Sequence, residues 1–196
     1  MAHHVIYIPG IGDTKTTFQE LAVGTWRLWG VRPHTFAMRW ADGKPYGPKF
    51  ERLLVLIDEL LSHGDRVSLV AASAGATVAL NTFAERPQLN GVVLIAGKVN
   101  RAYAIGDWYK RHTPAFVQSA ERTDSSVADL DKPQRARIMS RYGLVDYIVP
   151  KKDSYVPGAQ HRRVVGIGHI MTIAFQLVFG APLYIRFLRN LPVDQQ

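Results

Sequence analysis

Cysteine is absent from the 196 residues. Disulfides, thiolate metal centres and cysteine nucleophiles are therefore excluded. Acidic side chains are scarce: 16 Asp and Glu stand against 24 Lys and Arg, a net charge of +8. Residues 1–98 carry 10 basic and 8 acidic groups, and residues 99–196 carry 14 and 8. The late basic residues are scattered, with Lys110–Arg111, Lys151–Lys152 and Arg162–Arg163 the adjacent pairs. Their scatter reads as a solvated surface in preference to a nucleic-acid or lipid site. The first residues run directly into an apolar strand, without the charged start and cleavage site of a signal peptide. The expected location is the cytoplasm. Long apolar runs are also scarce. Ile170 to Ile185 carries no charge, but it falls short of the about 20 residues of a bilayer span. Gly180 and Pro182 interrupt it. A buried C-terminal helix is expected there, with peripheral membrane contact as the alternative. No internal repeat, low-complexity segment or Walker pattern is present.

What is present alternates between short β-like runs and longer helical ones. Val5–Ile8, His34–Trp40, Arg66–Ala72 and Gly91–Ala96 read as strands, with weaker candidates within 134–143 and at Arg162–Val165. Gln19–Trp29, Phe50–Leu61, Ala74–Ala84 and Ile170–Arg189 read as helices. In the second of these the apolar residues fall at 50, 53, 54, 57, 60 and 61, one helical face. Near-continuous apolar strands alternating with helices predict a three-layer α/β/α sandwich around a mostly parallel sheet of about six strands. One domain over residues 1–196 is expected, with a short cap-like excursion near 99–133 at the carboxyl ends of the strands. That excursion is the least regular stretch. Its aromatics Tyr103, Trp108, Tyr109 and Phe116 line an acyl pocket or simply pack.

The chemistry is carried by Val67 to Leu80, where a buried strand meets small residues and a helix starts with no loop. Ser73 stands at the junction. So sharp a strand-to-helix turn strains the backbone and lifts the hydroxyl above the sheet, at a helix N-terminus. The usual pattern is G-x-S-x-G; here it is Ala71-Ala72-Ser73-Ala74-Gly75, with Ala in place of the first Gly. An N-cap serine in an ordinary βα unit is the competing reading. The first strand ends in Pro9-Gly10-Ile11-Gly12. Acyl transfer needs two backbone N–H donors for its oxyanion, and Ala74 and Ile11 are the expected pair. A dinucleotide-binding turn would need Gly at 15, where Lys15 stands.

A serine nucleophile needs a base. His169 follows the last strand and precedes the last helix, on the side where a parallel sheet would place Ser73. His3, His4, His34, His63 and His161 fall at the opposite end, while His112 lies in the excursion and stays open. The supporting acid is expected at Asp146, after the fifth strand, with Asp153 as the alternative. The order Ser, Asp, His is the one this architecture uses.

On these residues the chain resembles an α/β-hydrolase, a compact one. The resemblance rests on the Pro9–Gly12 turn, the Ala71–Gly75 elbow, Asp146 with Ile148-Val149-Pro150, and Gly166-Ile167-Gly168-His169. It implies a small serine esterase-like hydrolase with an acyl-enzyme intermediate, a small-molecule ester or thioester substrate, and neither cofactor nor metal. The family's early antiparallel hairpin and large lid have no counterpart in this sequence. Two alternatives stand beside this reading: a non-catalytic binding protein on the same fold, and an acyltransferase or lyase.

Overall fold

The computed structural model describes residues 1–14, 16–101 and 104–192. Lys15 and Tyr103 lie outside the described residues. Six strands, β1 (His3–Ile8), β2 (Arg32–Thr35), β3 (Arg66–Ala72), β4 (Gly91–Ile95), β5 (Ile138–Val145) and β6 (Gln160–Ile167), form one sheet in the order β2-β1-β3-β4-β5-β6. Every neighbouring pair is parallel. All six carboxyl ends therefore open on one edge, and whatever follows each strand is gathered there.

The central strands read as near-continuous apolar runs because both faces are covered. Alternation still sorts their side chains. Ile6, Ile8, Val67, Leu69 and Ala71 face α2 (Tyr46–Ser62), α3 (Gly75–Glu85) and α5 (Pro114–Asp129). Val5, Tyr7, Val70 and Ala72 face the other layer. That layer holds α1 (Thr17–Gly24), the 3-10 turn Thr25–Trp29 and the C-terminal helices. Each fully buried Ile or Leu contributes about 1.5–3 kcal/mol, so the two clusters together hold the sheet between its layers. α2 buries Phe50, Leu53, Leu54 and Ile57, the stripe its spacing predicts.

Two elements differ from the sequence expectation. The second strand does not run to Trp40; it ends at Thr35. The amides of Arg39 and Trp40 donate to the buried Asp13 carboxylate instead of a ladder, and Arg39 takes φ +53°. The segment near 99–133 is largely helical, with α4 (Asp107–His112), α5 and the start of α6 (Lys132–Ala136). α5 packs on α2 and α3 as part of the helical layer. Apart from Phe116, its buried face is built from Ala115, Ser119, Ala120, Thr123 and Ser126, small or polar residues that do not read as an apolar stripe. The Ser119 hydroxyl pairs with Thr77 Oγ1 at 2.6 Å, and its carbonyl accepts from Asn81 Nδ2 at 3.0 Å. Those bonds offset the cost of burying polar groups. The last helix runs as expected, with a change of pitch near Gly180 and Pro182. α7 (His169–Phe175) passes through a π turn, Gln176–Gly180, into α8 (Ala181–Asn190). Pro182, in the first turn of α8, has no N–H for a regular ladder.

Candidate active site

Ser73 links β3 to α3 directly. Its φ is +52°, a left-handed conformation that costs a non-glycine residue roughly 1–3 kcal/mol. The surroundings hold it there. Its amide donates to Ile95 O at 3.0 Å, and its carbonyl accepts from the amides of Ala76 and Lys98, each at 3.1 Å. Ala71, which replaces the usual glycine, is wholly buried against the α2–α3–α5 side, where a methyl group fits. Gly75 is not replaceable in this way. A Cβ there would lie 2.3 Å from the carbonyl oxygen of Ile8 and 2.9 Å from that of Pro9. Gly75→Ala is expected to cost about 2–3 kcal/mol, or roughly 5–10 °C in Tm, because backbone cannot yield as a side chain can. Thermal melts followed by circular dichroism check this, and an unchanged melt would show that α3 separates freely from β1.

The structure brings Ser73, His169 and Asp146 together. His169 opens α7 after Gly168, whose amide is tied to Val145 O at 2.9 Å. The His169 Nε2 lies 2.8 Å from Ser73 Oγ and Nδ1 lies 2.7 Å from Asp146 Oδ2. Asp146 follows β5, and its side chain is almost wholly buried. Its other oxygen, Oδ1, accepts from the amides of Ile148 and Val149 at 2.9 and 2.8 Å. Both ring nitrogens of His169 are thus engaged, and the carboxylate that fixes the ring is itself fixed by backbone.

Ile11 and Ala74 line the same pocket as Ser73 and His169. Among the described residues neither amide has an acceptor within the protein. Gly10 brings the first turn against the elbow, since a Cβ there would stand 2.7 Å from Ser73 Cβ. Two residues that the sequence reading did not single out hold this turn. Trp40 Nε1 donates to Pro9 O at 3.2 Å, and the Asp13 carboxylate gathers the Arg39 and Trp40 amides. Burial raises the pKa of that carboxyl, with the two amides pulling the other way. An Asp after a Gly-x-Gly turn looks like an ordinary loop residue, so only the fold reveals its partners.

The pocket encloses about 430 Å³ and is mostly apolar, with Ile105, Tyr109, Phe116, Ile173 and Leu177 in its wall. Trp108 is not in the wall; it is exposed and stacks on His112 at the end of α4. Beneath the site, burial raises the Tyr7 pKa and keeps its hydroxyl neutral, donating to Gln19 Oε1 at 2.8 Å. Asp153, the alternative acid, also reaches the pocket wall but points away from His169. It pairs with Lys98 Nζ at 2.6 Å and Arg101 Nη1 at 3.1 Å. His3, His4 and His34 lie in β1 and β2 and hydrogen-bond Ser68, Asp65 and each other. His161 bonds Val156 O, and His112 bonds Trp108 O.

The chain superposes on solved structures of low sequence identity. Est1E from Butyrivibrio proteoclasticus matches with a TM-score of 0.71 at 13% identity, over 97% of this chain and 88% of that one. A monoacylglycerol lipase from Paleococcus ferrophilus matches at 0.63 and 11%, over 96% and 95%. The haloalkane dehalogenase DbeA from Bradyrhizobium elkani matches at 0.62 and 14%, over 96% and 91%. At such identities the likeness is one of fold. No protein-family model and no curated protein matches the chain.

Proposed function

We propose that this chain, whose fold is that of the α/β-hydrolases, is a serine hydrolase that cleaves carboxylic esters or thioesters through an acyl-enzyme. The observation that carries the proposal is the unbroken relay from Ser73 Oγ through both nitrogens of His169 to Asp146. Structural neighbours that are mostly esterases and lipases support ester hydrolysis in general.

In the forward step, His169 Nε2 takes the hydroxyl proton as Ser73 Oγ attacks the carbonyl carbon. The negative charge passes to the carbonyl oxygen. The Ile11 and Ala74 amides, idle within the protein, receive it. Asp146 stabilises the imidazolium through Nδ1–H and stays ionised. His169 then gives the proton to the leaving alcohol or thiol, and the acyl group remains on Ser73. Water attacks that ester with His169 again as base, which releases the acid and restores the serine. The apolar wall at Ile105, Tyr109 and Phe116 suits an acyl chain.

A fluorophosphonate reports an activated serine because it captures the same attack irreversibly. Wild-type protein is expected to gain one phosphonyl adduct on Ser73 by mass spectrometry. Ser73→Ala and His169→Ala are expected to gain none. Absence of an adduct on folded wild-type protein would overturn the proposal and favour a binding role.

A further inference from the structure

The C-terminal helical run is apolar on the wrong side for a core element. Met171, Phe175, Phe179 and Leu183 recur every four residues on its outer face, with Ile170 beside them, and are 43–74% exposed. Its inner face, with Leu177, Tyr184, Ile185 and Leu188, is buried in the core. Only 39% of its most apolar 18-residue window is buried, so core packing does not account for that composition. The inner face also anchors the helix flat along the sheet.

Its neighbours extend the same surface. α1 packs on the π turn and the 3-10 turn packs on α8, and they expose Phe18, Leu21 and Leu28. Phe18 and Ile170 belong at once to this surface and to the pocket wall. Through these two residues the apolar face meets the mouth that holds Ser73. Contiguous apolar patches on soluble monomers seldom exceed roughly 300–600 Å², and eight exposed side chains of this size point to a partner.

Charge selects the partner. Residues 154–193 contain no acid and four arginines. Arg186 is exposed three residues after Leu183, and Arg27 is exposed beside Leu28. Glu20 is the one acid on α1 and the 3-10 turn, and its carboxylate accepts from Thr16 Oγ1. A second copy docked face to face would set arginines against arginines. An anionic lipid surface instead offers hydrocarbon to the stripe and charge to its flanks, as for an amphipathic helix lying in a membrane interface.

We infer that this face docks on anionic lipid surfaces and that the Ser73 pocket draws a lipid ester from them. The docking stands on the surface alone; the ester rests on the hydrolase reading above.

The test is co-sedimentation of the full chain with vesicles of phosphatidylcholine and phosphatidylglycerol in equal parts, beside vesicles of phosphatidylcholine alone. Binding to the anionic vesicles at low salt is expected, and it weakens as salt screens the arginines. The double variant Phe179→Ser, Leu183→Ser, which lies outside the pocket, is expected to bind at least about tenfold more weakly. It should also lose about tenfold on a long-chain ester carried in the vesicles, and keep its rate on a short soluble ester within about twofold. Ser73→Ala should sediment as wild type does. Equal binding by the double variant, or no sedimentation of folded wild type at low salt, would overturn the docking. So would a dimer, read by light scattering, that the double variant dissociates while vesicles go unbound. Vesicle binding without cleavage of either ester would keep the docking and remove the hydrolase reading.

Discussion

Ser73→Ala is expected to reduce turnover of a short-chain p-nitrophenyl ester by about 10⁶-fold, the scale set by loss of a triad nucleophile. The same loss is expected for His169→Ala, and the double variant should be no slower than either single one. The reason is geometric. The three groups form one relay of 2.8 and 2.7 Å links, and either substitution breaks the Ser73–His169 link across which the serine proton leaves. The fold should survive. The backbone conformation of residue 73 is held by bonds to Ile95, Ala76 and Lys98, and alanine keeps all of them. Turnover assays read the first expectation and thermal melts the second. Additive losses in the double variant, or turnover in Ser73→Ala near wild type, would mean that the relay does not act as a unit.

The second large effect separates the two candidate acids. Asp146→Asn should lower kcat by about 10⁴-fold. The amides of Ile148 and Val149 both donate to Oδ1, so the asparagine carbonyl must stay there and its NH₂ must face His169. That donor forces the proton onto Nε2, where the ring can no longer accept from Ser73. Asp153→Asn should behave differently. It leaves the Lys98 ammonium buried without its counterion, at a cost of about 3–5 kcal/mol, or roughly 6–20 °C in Tm. Its kcat should stay within about tenfold of wild type, since Asp153 does not touch His169. Measuring kcat and Tm on both variants decides the matter. A collapse of kcat in Asp153→Asn with Asp146→Asn unaffected would reassign the acid.

Much of the frame was legible in the chain. Strands buried on both faces must be mostly apolar, and β1, β3 and β4 are, with His3, His4, Arg66 and Ser68 confined to their first halves. A strand that enters a helix without a loop must do so through small residues, which marked Ser73. In a parallel sheet the residues after each strand gather at one edge, so His169 after β6 followed from order, and the acid was narrowed to Asp146 or Asp153. Other features were silent for physical reasons. Beyond Phe116, α5 is held by Ser, Thr and Ala, and the burial of its hydroxyls is balanced by hydrogen bonds. The end of β2 was set by Asp13, which took the amides that a longer strand would have used.

The sequence by itself therefore determined the layered architecture and the places of Ser73 and His169, because both follow from local patterns repeated along a parallel sheet. Only the tertiary structure decided which carboxylate faces His169, what holds the first turn against the elbow, and which face of the C-terminal helix is left uncovered. Each of those depends on what a distant segment brings to the residue, and a helix apolar on both faces does not announce which one its own chain will bury.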